Sequence, residues 1–595
     1  MISTPLRRIY SSFRGVDFIN DPSLVLLSRS PDALNIWKNY RDTQGSCIET
    51  RPGYRELANF GGKINGIYFY KDKVLVHAGT NLYLWNNFPD APTETILKSN
   101  MNDEKSSFVI FNEKVYIIDG LNYLVYNGTT LKNVSEDDPY IPTTTISRSP
   151  SGGGEMYQDV NVLQPLRRNS FVADGTSDYY LDTTNIDEVT EITVDDVVVT
   201  NYSVDEARGK VTFTSAPTAP TLSGVDNVVI TFKKTTQGYS DRIAKCTKMV
   251  VFDRRLFFTG NPDYPNAIFH SQLNTPNYVS DLAYYQDGTD ESEVKALVVG
   301  NNILWVFKEP SQERDTIFYH TATSDAYGKV YPNFQGNVST GCYSDAINYK
   351  DDIVFLSKTG LEGISSNDIA SQQLLNHKSS LVDSKLINEN NFNLAMMTEW
   401  EGYLLILVNS HIYLGDIRQL YQSVNGYEYE WYYWEIENAN ASILKEYKGN
   451  LYIGAEDGSI FIVEGTNDDG EIIQSYWTTP MDNFGYGNKY KTTNKRGGVA
   501  KIKTIQNGKV KIAQKTNKAT TSKYIKDYAS GGFNFNEIDF SNFSFTIGAT
   551  SNIVYKIKEK KFVELQLKFY SDELDKPFGL YDAIIEAFEG GYVKR

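Results

Sequence analysis

The sequence predicts an all-β protein: a β-propeller, an inserted small β-sandwich domain and a C-terminal β-rich domain. Three observations lead there. A turn–strand–turn–strand unit recurs about seven times, and adjacent copies are about 40 residues apart, the period of propeller blades. Tyr (42) and Phe (30) make the chain rich in rings that favour strands. Gly (43) outnumbers Pro (19), which suits tight turns rather than disorder.

The copies can be read in order. Lys71-Asp72-Lys73 leads into Val74–Val76, and Gly79-Thr80-Asn81 turns the chain into Leu82–Trp85. Asn112-Glu113-Lys114 opens the next copy, with Asp119-Gly120 turning into Tyr123–Tyr126. Further copies start at Asp253-Arg254, Asn301-Asn302, Lys350-Asp351, Glu401-Gly402 and Lys448-Gly449. Each reads as a hairpin, because Asx and Gly tolerate positive φ and the apolar runs are too short for stable helices. Blades built this way bury their faces on one another and leave only short edges.

Two regions break the repeat. From Ser151 to Gly238, a flexible Ser151-Gly152-Gly153-Gly154 joint precedes short strands such as Tyr179–Leu181, Lys210–Phe213 and Asn227–Phe232, as in a small β-sandwich. From about Thr466 onward, Asn507-Gly508 between Ala500–Ile505 and Lys509–Ile512 signals a hairpin. Leu580–Phe588 reads as strand, with helix the alternative. Near the N-terminus, Ser30 as N-cap, Pro31 at N1 and Asp32 in the first turn predict a short helix through Trp37. The expected domains are therefore 1–150 (N-terminal segment and first blades), 151–238 (inserted sandwich), 239–465 (remaining blades) and 466–595 (C-terminal domain, a candidate to close the propeller).

Composition excludes several classes. No run of about 18 apolar residues occurs, so no membrane span is expected. Arg7, Arg8 and Arg14 are not followed by an apolar run, so no signal peptide is expected. Cys47, Cys246 and Cys342 are too few and too scattered for a disulfide framework or a CxxC metal site, and suit a reducing cytoplasm. The net charge of −16 argues against a general nucleic-acid binder.

No catalytic constellation emerges, and no cofactor or metal site is expected. Histidine occurs only at 77, 270, 320, 377 and 411, without HxH or HExxH spacing. Neither a GxSxG elbow nor a P-loop is present. Asn467-Asp468-Asp469-Gly470-Glu471 lacks the twelve-residue pattern of a calcium loop and reads as an acidic turn.

One local anomaly stands out. Between residues 489 and 526 there are twelve Lys or Arg and no Asp or Glu. Its candidate contact residues are Lys489, Lys491, Lys495, Arg496, Lys501, Lys503, Lys509, Lys511, Lys515 and Lys518. On strands, Lys501, Lys503, Lys509 and Lys511 face one side while Ile502, Val510 and Ile512 face the other. Contact with DNA phosphates, docking on an acidic partner, and a merely solvated sheet face all remain open.

Phe13-Arg14-Gly15-Val16-Asp17, Ser28-Arg29-Ser30-Pro31-Asp32-Ala33-Leu34-Asn35 and Glu49-Thr50-Arg51-Pro52-Gly53-Tyr54-Arg55, followed by the hairpin copies, resemble tail hub or nozzle proteins of tailed bacteriophages, the phage stabilisation protein type. The insertion is similar to small β-domains of such proteins. The resemblance implies a non-catalytic virion subunit, made in the host cytoplasm and placed in the tail as a homo-oligomeric ring, a hexamer favoured. It implies portal and adaptor proteins above, tail fibres or other tail proteins as neighbours, and phage DNA passing through the ring. Competing readings are a carbohydrate-binding or glycan-cleaving tail component and a peptide-binding scaffold propeller.

Overall fold

The computed structural model describes residues 5–593, apart from 44, 91–93, 312–314, 326–327, 337, 365–374, 424–425 and 530–549. Strands dominate, and the α-helices are single turns such as Asp241–Ala244 and Asp383–Leu386.

The centre of the fold is a β-propeller. Among the described residues, seven four-stranded antiparallel sheets follow one another along the chain. They begin at Ile64–Tyr70, Ser107–Phe111, Lys248–Phe252, Val294–Gly300, Ala346–Tyr349, Met396–Trp400 and Ala441–Tyr447. Every repeat read from the sequence is the turn between the first and second strand of one sheet. In six of the seven, both central residues have positive φ, for example Asn301 (54°) with Asn302 (59°) and Lys448 (50°) with Gly449 (84°). Such turns match the right-handed twist of the flanking strands, which is why Asx and Gly recur there. The seventh sheet takes its outer strand from far upstream: Arg55–Asn59 pairs antiparallel with Ser459–Ile462. The C-terminal region, expected as a candidate for that role, does not supply this strand.

The chain divides into two compact units. In the first, the leading strands Ala346–Tyr349, Met396–Trp400, Ala441–Tyr447 and Ile64–Tyr70 pack in succession, so the last blade meets the first. In the second, Ser107–Phe111, Lys248–Phe252 and Val294–Gly300 do the same. Continuous burial of Val, Leu, Ile and aromatic side chains on both faces of these strands supplies the core, as at Leu404–Leu407 and Leu304–Phe307.

The second unit also contains the sandwich. A six-stranded sheet, including Thr143–Arg148, Leu166–Phe171, Val228–Lys233 and Glu188–Val194, faces the three strands Asp178–Tyr180, Lys210–Phe213 and Tyr202–Asp205. Phe171, Tyr179, Ile192, Val211, Phe213, Ile230 and Phe232 are buried together between the sheets. The sandwich sheet begins at Thr143, ahead of the glycine joint. That joint is a tight turn, not a flexible linker. The Gly152 N–H donates to Ser149 O (3.0 Å), and the Arg148 guanidinium gathers the carbonyls of Gly153, Tyr180 and Leu181.

The C-terminal region is interwoven with the N-terminal segment. Gly579–Tyr592, a 14-residue strand, pairs with Leu6–Ser11 and Ile48–Thr50 along one edge and with Gly498–Lys503 and Lys489–Thr493 along the other. A second, five-stranded sheet runs Ala33–Leu34, Ser475–Thr478, Leu565–Ser571, Lys509–Thr516, Lys523–Ala529.

Two sequence expectations fail here. Residues 30–37 form no helix: Ala33–Leu34 pairs with Tyr476–Trp477, Ile36–Trp37 pairs with Glu49–Thr50, and Asn35 (φ 54°) breaks the turn between them. Pairing with distant strands overrides a local capping signal. Asn507-Gly508 is a turn, with the Gly508 N–H donating to Ile505 O (3.0 Å), but it closes no hairpin. It carries the chain from the eight-stranded sheet to the five-stranded one.

Candidate functional site

The N-terminal segments 13–17, 28–35 and 49–55 converge on one clamp. Residues 13–37 run along the strand Gly426–Glu435. The Val16 N–H donates to Trp431 O (2.8 Å) and the Asn35 N–H to Tyr433 O (3.0 Å). Gly15 has φ +93°, and a Cβ there would lie 2.1 Å from Trp431 O, so only glycine fits. Arg29 grips the buried Glu430 carboxylate with two N–H donors (2.7 and 3.0 Å), and Arg14 lies 3.0 Å from the same group. Burial pushes the Glu430 carboxyl up, against the pull of both arginines. Arg51 forms a buried bidentate pair with Asp468 (2.6 and 2.8 Å), and its Nε donates to Asn35 Oδ1 (2.9 Å). Asp469 accepts the Glu56 N–H (3.2 Å), so the acidic turn 467–471 is spent on holding the N-terminal segment. Beside it, the buried Asp416 accepts from Tyr40 (2.6 Å), Arg418 (2.7 Å) and Gln419 (2.9 Å). Lys38 donates to Gln419 Oε1 (2.8 Å), and burial lowers its pKa to about 8.

Four histidines sit in closed polar clusters. His377 lies between Asp383 (2.6 Å) and Glu362 (2.9 Å); burial opposes its charge, yet the two carboxylates raise it to about 10. Ser379 Oγ donates to Asp383 (2.6 Å) rather than to the imidazole, so this is no nucleophile–base pair. His320 bonds Asp287 (2.9 Å) and Tyr331 O (2.8 Å), and His411 bonds Glu389 (2.7 Å). His270 contacts Ser271 O (3.1 Å), and burial lowers it to about 4. Cys47, Cys246 and Cys342 are free and buried. Among the described residues, no group of three or more His, Cys, Asp or Glu is arranged to hold a metal ion. No helix there is long and apolar enough to cross a membrane.

The basic run separates into two sets. Lys489 pairs with Glu589, and Lys503 with Asp42 and Glu49. Lys509 pairs with Asp527 (2.8 Å) and Glu573 (2.9 Å), and Lys511 with Asp572 and Glu573 (both 2.6 Å). Lys491 is buried and donates to Tyr486 O and Val563 O. The Lys501 ammonium lies 5.4 Å from the Tyr581 ring, and Lys515 is half-buried. The acids that answer these lysines come from outside the run.

Lys495, Arg496 and Lys518 are exposed instead, and the fold brings them to Lys556, Lys558, Lys560 and Lys561, also exposed. Thr493 bridges the first turn to the 557–559 segment: its Oγ1 donates to Ile557 O (3.0 Å) and its N–H to Glu559 O (2.9 Å). Lys518 Nζ donates to Lys560 O (3.2 Å). The last four lysines lie outside the run, around Glu559. Their alternation with Tyr555, Ile557 and Phe562 was the available signal.

No protein-family model and no curated protein matches the sequence. Solved structures similar to the chain include the designed Ika8 protein (14 % identity, TM-score 0.30, 69 % of this chain and 99 % of that one). The β-propeller domain of Cps50 (Swd1) from Myceliophteria thermophila is similar at 11 % identity (TM-score 0.23, 69 % and 100 %). An exo-β-1,3-galactanase from Phanerochaete chrysosporium is similar at 8 % (TM-score 0.21, 90 % and 100 %). Likenesses this distant carry nothing about activity.

Proposed function

We propose that this chain is a non-catalytic structural subunit of a bacteriophage tail. In this reading it forms a ring in the hub or nozzle below the portal and adaptor, lines part of the DNA ejection channel, retains packaged DNA and anchors tail appendages. One observation carries the reading. The three N-terminal motifs that resemble tail proteins are brought together in a single clamp, where Gly15, Arg29, Asn35 and Arg51 each make a defined contact. Further support comes from the histidine clusters, whose ring nitrogens are held by carboxylates or carbonyls of the same chain. A propeller built this way offers surfaces to neighbours rather than a reaction centre.

Native mass measurement and negative-stain imaging of the purified chain, with and without its portal-proximal neighbours, test this. Rings of six support the reading. A strictly monomeric protein that also hydrolyses glycan polymers overturns it.

A further inference from the structure

We propose that the exposed lysine surface formed by Lys495, Arg496, Lys518, Lys556, Lys558, Lys560 and Lys561 binds the phosphate backbone of duplex nucleic acid without reading its sequence.

The chain as a whole carries −16, so most of its surface repels a polyanion. This patch is the opposite. Three segments meet there, tied by the bonds of Thr493 to 557–559 and of Lys518 to Lys560. The carboxylates of Glu559 and Glu586 keep their charge, since each accepts from a neutral amide (Gln514, 2.5 Å; Asn494, 2.9 Å), but seven cations outnumber them. Glu564, a third, is half-buried. Lys556, Lys558 and Lys560 are exposed in alternation with the buried Ile557 and the half-buried Glu559.

The chemistry favours phosphate over an acidic protein. Protein interfaces are depleted in Lys and depend on buried aromatic or aliphatic anchors. Here the exposed positions carry six lysines and one arginine, while Tyr555, Ile557 and Phe562 are buried in the core. Lysine binds phosphate as a flexible point charge, which suits contact that is independent of sequence. Against a net-negative chain, such contact favours this part of the C-terminal sheets.

The inference does not rest on the tail reading; a chain that binds duplex but forms no ring would sink that reading alone. The test is fluorescence anisotropy of a labelled 24-base-pair duplex of arbitrary sequence, titrated with the full chain at 50–200 mM NaCl. Binding near 10⁻⁵ M at the low-salt end is expected, on the order of non-specific contacts. The K556E/K558E/K560E variant should bind at least tenfold more weakly. The corresponding Lys→Gln variant, which perturbs the fold less, should reduce the salt slope by about 2.7, the loss of three phosphate contacts. A control of equal charge change elsewhere, K71E/K358E/K448E, should shift affinity less than threefold. The proposal is overturned by unchanged binding in the Lys→Gln variant, by an equal loss in the control, or by poly-glutamate displacing the duplex at equal charge concentration. The last outcome would make an acidic protein the partner.

Discussion

The blades and the C-terminal sheets are built from the same kinds of residue but assembled on different scales. Apart from the outer strand of the seventh sheet, a blade pairs strands that are neighbours in sequence, so each turn decides its own hairpin: Asn301-Asn302 joins Val294–Gly300 to Ile303–Lys308, register included. The C-terminal sheets include pairings more than 400 positions apart, as where Leu6–Ser11 meets Asp582–Ala587. Closing such distances costs chain entropy that local turns avoid. The long-range sheets must therefore recover it through burial and specific polar contacts, which is the role of the N-terminal clamp. Repetition makes structure readable, and interweaving hides it.

The largest effect should come from removing residues 1–50. The deletion takes strands from both C-terminal sheets and should unfold them while the hairpins of 107–335 persist. Limited proteolysis read by mass spectrometry would then show cuts within 489–592. Continued protection of that stretch would mean that the sheets stand without the interweaving.

A pair of substitutions sharpens the contrast at single residues. Gly15→Ala places a methyl group against Trp431 O and strains a positive φ, and should cost about 3 kcal/mol or more in chemical denaturation. Asn302→Ala, in a blade turn, should cost about 1 kcal/mol, the penalty of a left-handed residue without an Asx side chain. Equal losses at the two sites would erase the distinction.

A third effect is one of pH, in a cluster that fastens Leu375–His377 of a blade to the turn at Asp383. His377 titrates at about 10 in the folded chain and near 6.5 when unfolded. Because the folded value is the higher, its contribution is whole below about pH 6.5 and is lost as pH rises toward about 10. Stability should fall over that window by a few kcal/mol, at about 1.4 kcal/mol for each unit by which the folded value exceeds the unfolded one. His377→Gln should flatten the fall. A variant with the parent's pH profile would show that the imidazolium contributes nothing.

The lysine surface follows the same division. Read linearly, 489–526 is one basic stretch, and its lysines look equivalent. Folded, Lys503 meets Asp42 and Glu49 and Lys511 meets Asp572 and Glu573, acids from either end of the chain. Lys558 and Lys560, interrupted by Glu559 and absent from the stretch, are exposed beside Lys495 and Lys518. Charge counts along a sequence cannot tell a neutralised lysine from a free one, because the neutralising acid is a tertiary neighbour.

By itself the sequence determined the all-β class, the seven repeating turns and the inserted sandwich. Turn preference and strand alternation act over a few residues, and those residues are adjacent in the chain. Only the tertiary structure decided that Ala33–Trp37 is extended rather than helical, that Arg55–Asn59 completes the last blade, and which lysines face solvent. Each of those outcomes is set by a tertiary partner outside the local segment, whose backbone donors or carboxylates outweigh the local preference.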